Sequence, residues 1–205
     1  MKFIQSKHLL LYVLIILATL KTYGQQDYVQ GYIVLESNDT IFGGVKHRRQ
    51  TFTGNQRLRK IRIRRENGKR GKYTRRQLTG YTIGGQIYRK FYLRPADIIP
   101  VLPAYYEIVP YAGEPHFLRL VTDGPLELYE LEWTDDMSNE VDSFPLLRKK
   151  GEPYMIRATQ GILGFKKKAL SDYFKDCPLL VKKLANDEFT FAYQLVDFYN
   201  STYVK

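Results

Sequence analysis

Tyr28-Val29-Gln30-Gly31-Tyr32-Ile33-Val34-Leu35-Glu36-Ser37-Asn38-Asp39-Thr40-Ile41-Phe42-Gly43-Gly44-Val45-Lys46 is the stretch whose reading decides the fold. Tyr28–Glu36 puts Ile33 and Leu35 on one face and Tyr32 and Val34 on the other, the period-two pattern of a strand. Ser37-Asn38-Asp39 supplies turn chemistry, and Thr40–Lys46 returns with Ile41 and Val45 on one face, so the stretch predicts a β-hairpin. Gly43-Gly44 marks a bulge or a close backbone approach.

The same period recurs downstream. In Arg57–Arg65, Ile61 and Ile63 share one face and Lys60, Arg62 and Arg64 the other, as in a strand with one wet side. Asn67-Gly68 and Arg70-Gly71 read as turn residues. Thr74–Thr79 predicts one helical turn capped by Thr74. Gly84-Gly85 predicts a two-residue hairpin between Tyr81–Ile83 and Gln86–Leu93. Pro95, Pro100, Pro103, Pro110 and Pro115 predict an ordered connection and argue against a central strand there. Asp123-Gly124 predicts another tight hairpin between Phe117–Thr122 and Leu126–Trp133. Thr134–Ser143 reads as acidic loop, and Phe144–Lys149 with Tyr154–Arg157 as a last hairpin.

From Gly161 the period shifts to about 3.6. Phe165, Ala169, Leu170, Tyr173 and Phe174 form one stripe. Asp176 and Pro178 separate it from a helix burying Leu180, Val181 and Leu184. Asp187 is the expected cap of a third helix, on which Phe191, Ala192, Leu195, Val196 and Tyr199 align. Strands first and helices last predict an α+β fold: a mainly antiparallel sheet or open barrel over residues 25–160, with a small C-terminal helical cap, 161–205, packed on the same domain.

Residues 1–24 stand apart. Lys2 and Lys7 precede the apolar run Leu9–Leu20, and Thr22 and Gly24 are small residues two apart, the layout of a secretory signal peptide. A membrane anchor needs roughly 20 apolar residues, and this run is shorter. Cleavage after Gly24 leaves 181 of the 205 residues and, with Lys2, Lys7 and Lys21 gone, lowers the net charge from +11 to +8. The product is expected in the periplasm, on the outer envelope or outside the cell, with no transmembrane span.

A hydrophobic content of 44% and an aromatic content of 14% suffice for a core and exclude disorder as the default. The single cysteine, Cys177, excludes an internal disulfide. It lies far from the signal, so no lipid-accepting cysteine sits at the cleavage site. A helix N-terminus favours a reactive thiol, but the adjacent Asp176 opposes it, and packing is the better reading.

The opening Gly31-Tyr32-Ile33-Val34, followed by Asn38-Asp39-Thr40-Ile41-Phe42-Gly43, is similar to the first hairpin of many exported proteins of Bacteroidota. The tail Phe165-Lys166-Lys167-Lys168-Ala169-Leu170-Ser171-Asp172-Tyr173-Phe174-Lys175-Asp176-Cys177-Pro178 resembles the C-terminal helical segment of the same family. The resemblance implies compartment and lineage. It implies no activity and carries over no functional residue.

For chemistry, the mature chain offers His47 and His116, neither with a partner at ligand spacing, and no Gly-x-Ser-x-Gly, His-Glu-x-x-His or phosphate-loop motif. No motif calls for a cofactor or a metal. Seven acids and no base lie in Glu127–Asp142, a candidate for calcium or for a carboxylate-pair hydrolase, although the spacing is not that of an EF-hand loop. Lys46–Arg76 is the most distinctive stretch, with fourteen Lys and Arg against Glu66 alone. Lys60, Arg62 and Arg64 are the candidate anion-binding residues, a row about 6–7 Å apart per step along one strand face. Tyr73, Tyr81 and Tyr88 are nearby aromatics that would suit stacking. The bland alternative is a solvated face neutralised by the chain's own acidic hairpin. The expectation is an exported, non-enzymatic binding or structural protein of the cell envelope. Its candidate partners are anionic glycan, lipopolysaccharide or membrane headgroups; export argues against nucleic acid. A carboxylate-dependent hydrolase with a β-sheet cleft is the alternative.

Overall fold

The computed structural model describes residues 28–46, 50–51, 60–96, 103–113, 115–134 and 141–202. The signal-like stretch and His47 lie outside them. The opening hairpin forms as read: β1 (Val29–Leu35) and β2 (Thr40–Lys46) pair antiparallel from Val29↔Val45 to Val34↔Thr40. Asn38 takes the left-handed conformation of the turn, at φ 67°, which Asn tolerates. After β3 (Gln50–Thr51), β4 (Ile61–Arg64) pairs with β2, and β5 (Arg70–Tyr73) pairs with β4. A 3₁₀ turn, Arg75–Gln77, is closed by a capping box between Thr74 and Gln77. It leads directly into β6 (Leu78–Ile83), so Thr79 belongs to a strand and not to the helical turn.

The ten-residue β7 (Gln86–Pro95) joins two architectures. Its first half pairs with β6, ending the sheet β5-β4-β2-β1-β6-β7. It also pairs with β9 (Pro115–Thr122), and its last residues pair with β8 (Tyr105–Ile108). β9 continues to β10 (Leu126–Thr134), then β11 (Val141–Lys149), β12 (Tyr154–Arg157) and back to β8. The result is a closed six-stranded barrel with a sheet extending from one of its strands. Closure corrects the reading of Pro95–Pro115 as a region without a central strand. Tyr105–Ile108, four residues free of proline, is paired on both sides and completes the ring.

Alternation sorts side chains into three cores. Inside the barrel, each strand contributes one buried hydrophobic residue to a shared cluster: Phe91, Tyr106, Leu118, Tyr129, Leu146 and Met155. A second core, with Ile33, Val45, Ile61, Ile63 and Leu78, lies where the extended sheet meets Tyr88 and Phe117 of the barrel. Buried Arg75 donates to the Pro115 carbonyl at 3.2 Å and ties the 3₁₀ turn to β9. The third core joins Leu126, Leu128, Leu147 and Ile156 to the helices α1 (Lys167–Tyr173), α2 (Pro178–Ala185) and α3 (Ala192–Thr202). Fully burying one such Leu stabilises by roughly 1.5–3 kcal/mol.

Several local readings change. Gly124 has no positive φ, so Asp123-Gly124 is not the tight turn expected. A Cβ there would lie 2.6 Å from the Asn200 amide nitrogen. Asn200 holds α3 to β10, accepting from Leu126 N–H at 2.8 Å and donating to Leu126 C=O at 3.0 Å. β11 begins at Val141, within the stretch read as loop. Asp187 adopts φ 57° after α2 and caps nothing; Gln194 accepts the Thr190 and Phe191 N–H groups instead. Phe191 is exposed, outside the α3 stripe.

Candidate functional site

β4 alternates as its sequence implies: Ile61 and Ile63 are buried, and Arg62 and Arg64 point to solvent. Lys60 is exposed just before it. Register then adds residues that the linear pattern did not bring together. Lys46 sits opposite Arg62, and Arg62 opposite Lys72, a row of three cations crossing β2, β4 and β5. One step along, Gly44, Arg64 and Arg70 form the parallel row. Neighbouring strands lie about 4.8 Å apart.

Gly44 carries the centre of this face. A Cβ there would lie 2.8 Å from the Tyr28 Cβ, so the missing side chain is the space that Tyr28 occupies. The Arg64 guanidinium stands 5.1 Å and the Lys46 ammonium 5.8 Å from the Tyr28 ring centroid. An aromatic ring thus lies under two cations. Beside it, exposed Phe42 packs against Tyr32 at 5.6 Å. Thr40, Ile41, Phe42, Arg65, Glu66 and Asn67 line a shallow depression of about 620 Å³.

Among the described residues, no acid pairs with Lys60, Arg62 or Arg64. Glu127, Glu130 and Glu132 of the acidic hairpin pair elsewhere; Asp135, Asp136 and Glu140 lie outside the described residues. Glu127 meets Arg89 at 2.9 Å and Arg148 at 3.3 Å, and Arg119 pairs with both Glu130 and Glu132. Asp123 is held below its ordinary carboxyl range by the hydrogen bond from Arg89, with Lys150 adding to it. Burial pushes the Tyr129 phenol up to about 12, and the charge of Glu127 adds to the shift. Barrel arginines, not the β4 cations, therefore take up Glu127, Glu130 and Glu132.

The proposed stacking tyrosines are core residues. Tyr81 and Tyr88 are buried and stacked on each other at 4.6 Å, and Tyr73 packs on the same cluster. Cys177 is fully buried among the helices. His116 sits within β9. Among the described residues, no three His, Cys, Asp or Glu side chains gather as metal ligands would, and no helix is long and apolar enough to cross a membrane.

Sequence reasoning missed Tyr28, Arg70 and Lys72 as parts of one face. Arg70-Gly71-Lys72-Tyr73 carries the period-two signal of a strand, with Arg70 and Lys72 on one side, but its glycine reads first as a turn. No family model matches the chain, and no curated protein or solved structure shows significant similarity to it.

Proposed function

We propose that this is an exported, non-enzymatic protein of the cell envelope that binds anionic glycan or lipid head groups, lipopolysaccharide phosphates included, through Lys46, Lys60, Arg62, Arg64, Arg70 and Lys72. One observation supports the reading above others: the cations stand in register on three paired strands, around Tyr28, and among the described residues no acid pairs with the β4 members. Two unit charges about 5 Å apart in water repel by roughly 0.8 kcal/mol, so each neighbouring pair stores energy that a bridging anion releases. The buried Ile61 and Ile63 hold the row on a rigid sheet, which reduces the ordering cost of binding. The hydrolase reading draws no support from Glu127, Glu130 and Glu132, each engaged by arginine.

The test replaces Lys60, Arg62 and Arg64 together with Gln. Binding is measured to lipopolysaccharide, to phosphatidylglycerol vesicles and to a sulfated glycan, at about 0.05 and 0.5 M salt. Binding should fall with salt and fall again in the variant, and the arm with the largest loss identifies glycan or lipid. Stability should change by no more than about 0.5 kcal/mol per substitution. Unchanged binding in all three arms refutes the reading. Intact mass of the native protein should begin at Gln25; retention of Leu9–Leu20 would refute export as a cleaved product.

A further inference from the structure

The solvent face of the extended sheet is apolar as well as cationic. Side chains two apart on a strand share a side, so Phe42 stands on the face that carries Gly44 and Lys46, opposite Tyr32 of β1. Its ring is 61% exposed and contacts Tyr32 at 5.6 Å and 57°, an inclined pair that forms a wedge and not a flat platform. Arg64 and Arg70, paired across β4 and β5, lie beyond Gly44 on the same face, and Arg62 and Lys72 form the next pair along. All four are exposed. The Phe42 end of the face is bounded by the turns at 36–39 and 65–69 and lies away from Lys46, where the chain leaves β2. Three acids border this end: Glu36 pairs with Lys90, Asp39 accepts from the Ser37 hydroxyl at 2.7 Å, and Glu66 shares its turn with Arg65 and Lys69.

A single exposed aromatic is ordinary; its place beside a cation array is informative. The cations spread in two dimensions, about 4.8 Å apart between strands and about 7 Å along them. A linear polyanion engages one line of such an array, whereas a plane of head groups faces all of it. A sugar stacks on a flat aromatic platform, which the inclined Phe42–Tyr32 pair does not offer. A bilayer takes apolar rings in just beneath its phosphates and favours aromatic residues at that depth. Binding there strengthens with buried apolar area and with attraction to anionic lipid, and this face supplies both. We infer that the face docks on the surface of an anionic lipid bilayer, with Arg62, Arg64, Arg70 and Lys72 on the phosphates and Phe42, backed by Tyr32, inserted between the head groups. The inference rests on the anion-binding reading of the same face and names its partner.

The test uses the processed chain beginning at Gln25, so that Leu9–Leu20 cannot contribute, with phosphatidylglycerol vesicles and a soluble sulfated glycan as separate probes. Phe42→Thr keeps a β-branched residue in the strand. It should weaken vesicle binding about 5- to 10-fold, the share of a phenylalanine's burial that its exposure leaves to be gained. Glycan binding should stay within about twofold. Arg64→Gln with Arg70→Gln should weaken vesicle binding about 5-fold per charge removed. Phe42→Trp, in a Trp133→Phe background that leaves one indole, should bind vesicles at least as well as the parent and be quenched by brominated lipid. Vesicle binding absent in the parent or unchanged in Phe42→Thr, an equal loss toward glycan, or a bound indole that brominated lipid does not quench overturns bilayer docking. If the arginine variant alone loses vesicle binding, the anion-binding reading stands without the docking. Unchanged binding in the arginine variant overturns both. If Phe42→Thr does not fold, quenching of the Phe42→Trp protein decides.

Discussion

Replacing Glu127 with Gln tests the charged end of the barrel. The Glu127 side chain is 2% exposed, and its two oxygens accept from Arg89 and Arg148. Gln keeps the length but removes the charge, and its amide nitrogen turns a donor toward one arginine. Removing one partner of a buried ion pair costs about 3–5 kcal/mol. Here both arginines have other partners: Arg89 donates to Tyr129 and Asp123, and Arg148 donates to the Glu152 carbonyl. Their side chains are also 38% and 21% exposed, so water offsets part of the loss. The expected cost is therefore about 2–3 kcal/mol. With a urea m-value of roughly 2 kcal/mol/M, the midpoint should fall by about 1–1.5 M at unchanged m. Glu130→Gln is the control. Its pair with Arg119 is one-quarter exposed on each side, and Arg119 keeps Glu132, so the cost should stay at about 1 kcal/mol or less. A Glu127→Gln cost within about 0.5 kcal/mol, or no larger than that of Glu130→Gln, would refute the reasoning.

Cys177→Ala should cost about 1 kcal/mol and leave anion binding alone, with thiol labelling slow until the protein unfolds; rapid native labelling would contradict its burial. Tyr129 and Tyr173, both pushed up to about 12 by burial, should remain protonated in the native protein at about pH 11, where exposed phenols with pKa near 10 have ionised. Because unfolding lowers their pKa, stability should be full below about pH 10 and decline as pH rises toward 12, as followed by phenolate absorbance and thermal melts. Gly43→Ala should cost more than about 2 kcal/mol, since φ is +151° and the new Cβ would lie 2.3 Å from the Arg64 carbonyl oxygen. It should also weaken anion binding by parting β2 from β4, and an unperturbed melt would exclude that close approach.

Local pattern carried most of the element assignments. The hairpin of β1 and β2, the alternation of β4, the Gly84-Gly85 turn and the helical stripes of α1 and α2 all follow from period and turn chemistry, which act over a few residues. Pattern also placed Lys60, Arg62 and Arg64 on one solvent face, because two residues apart on a strand means the same side. What tertiary structure decided was pairing. No local signal says that β7 is shared between a sheet and a barrel, or that Tyr105–Ile108, hemmed by prolines, closes the ring. Nor does one say that Lys46 and Lys72 flank Arg62 across strands. These depend on which edges meet, a choice made by burying three separate cores at once. The same holds for charge. Glu127 and Arg157 are both charged residues within strands, yet barrel closure sets two arginines against Glu127, whereas Arg157 lies against the Phe144 ring with Asp142 only partly offsetting its burial. Burial turns that difference in neighbours into a difference in chemistry, because an ion withdrawn from water depends on what faces it.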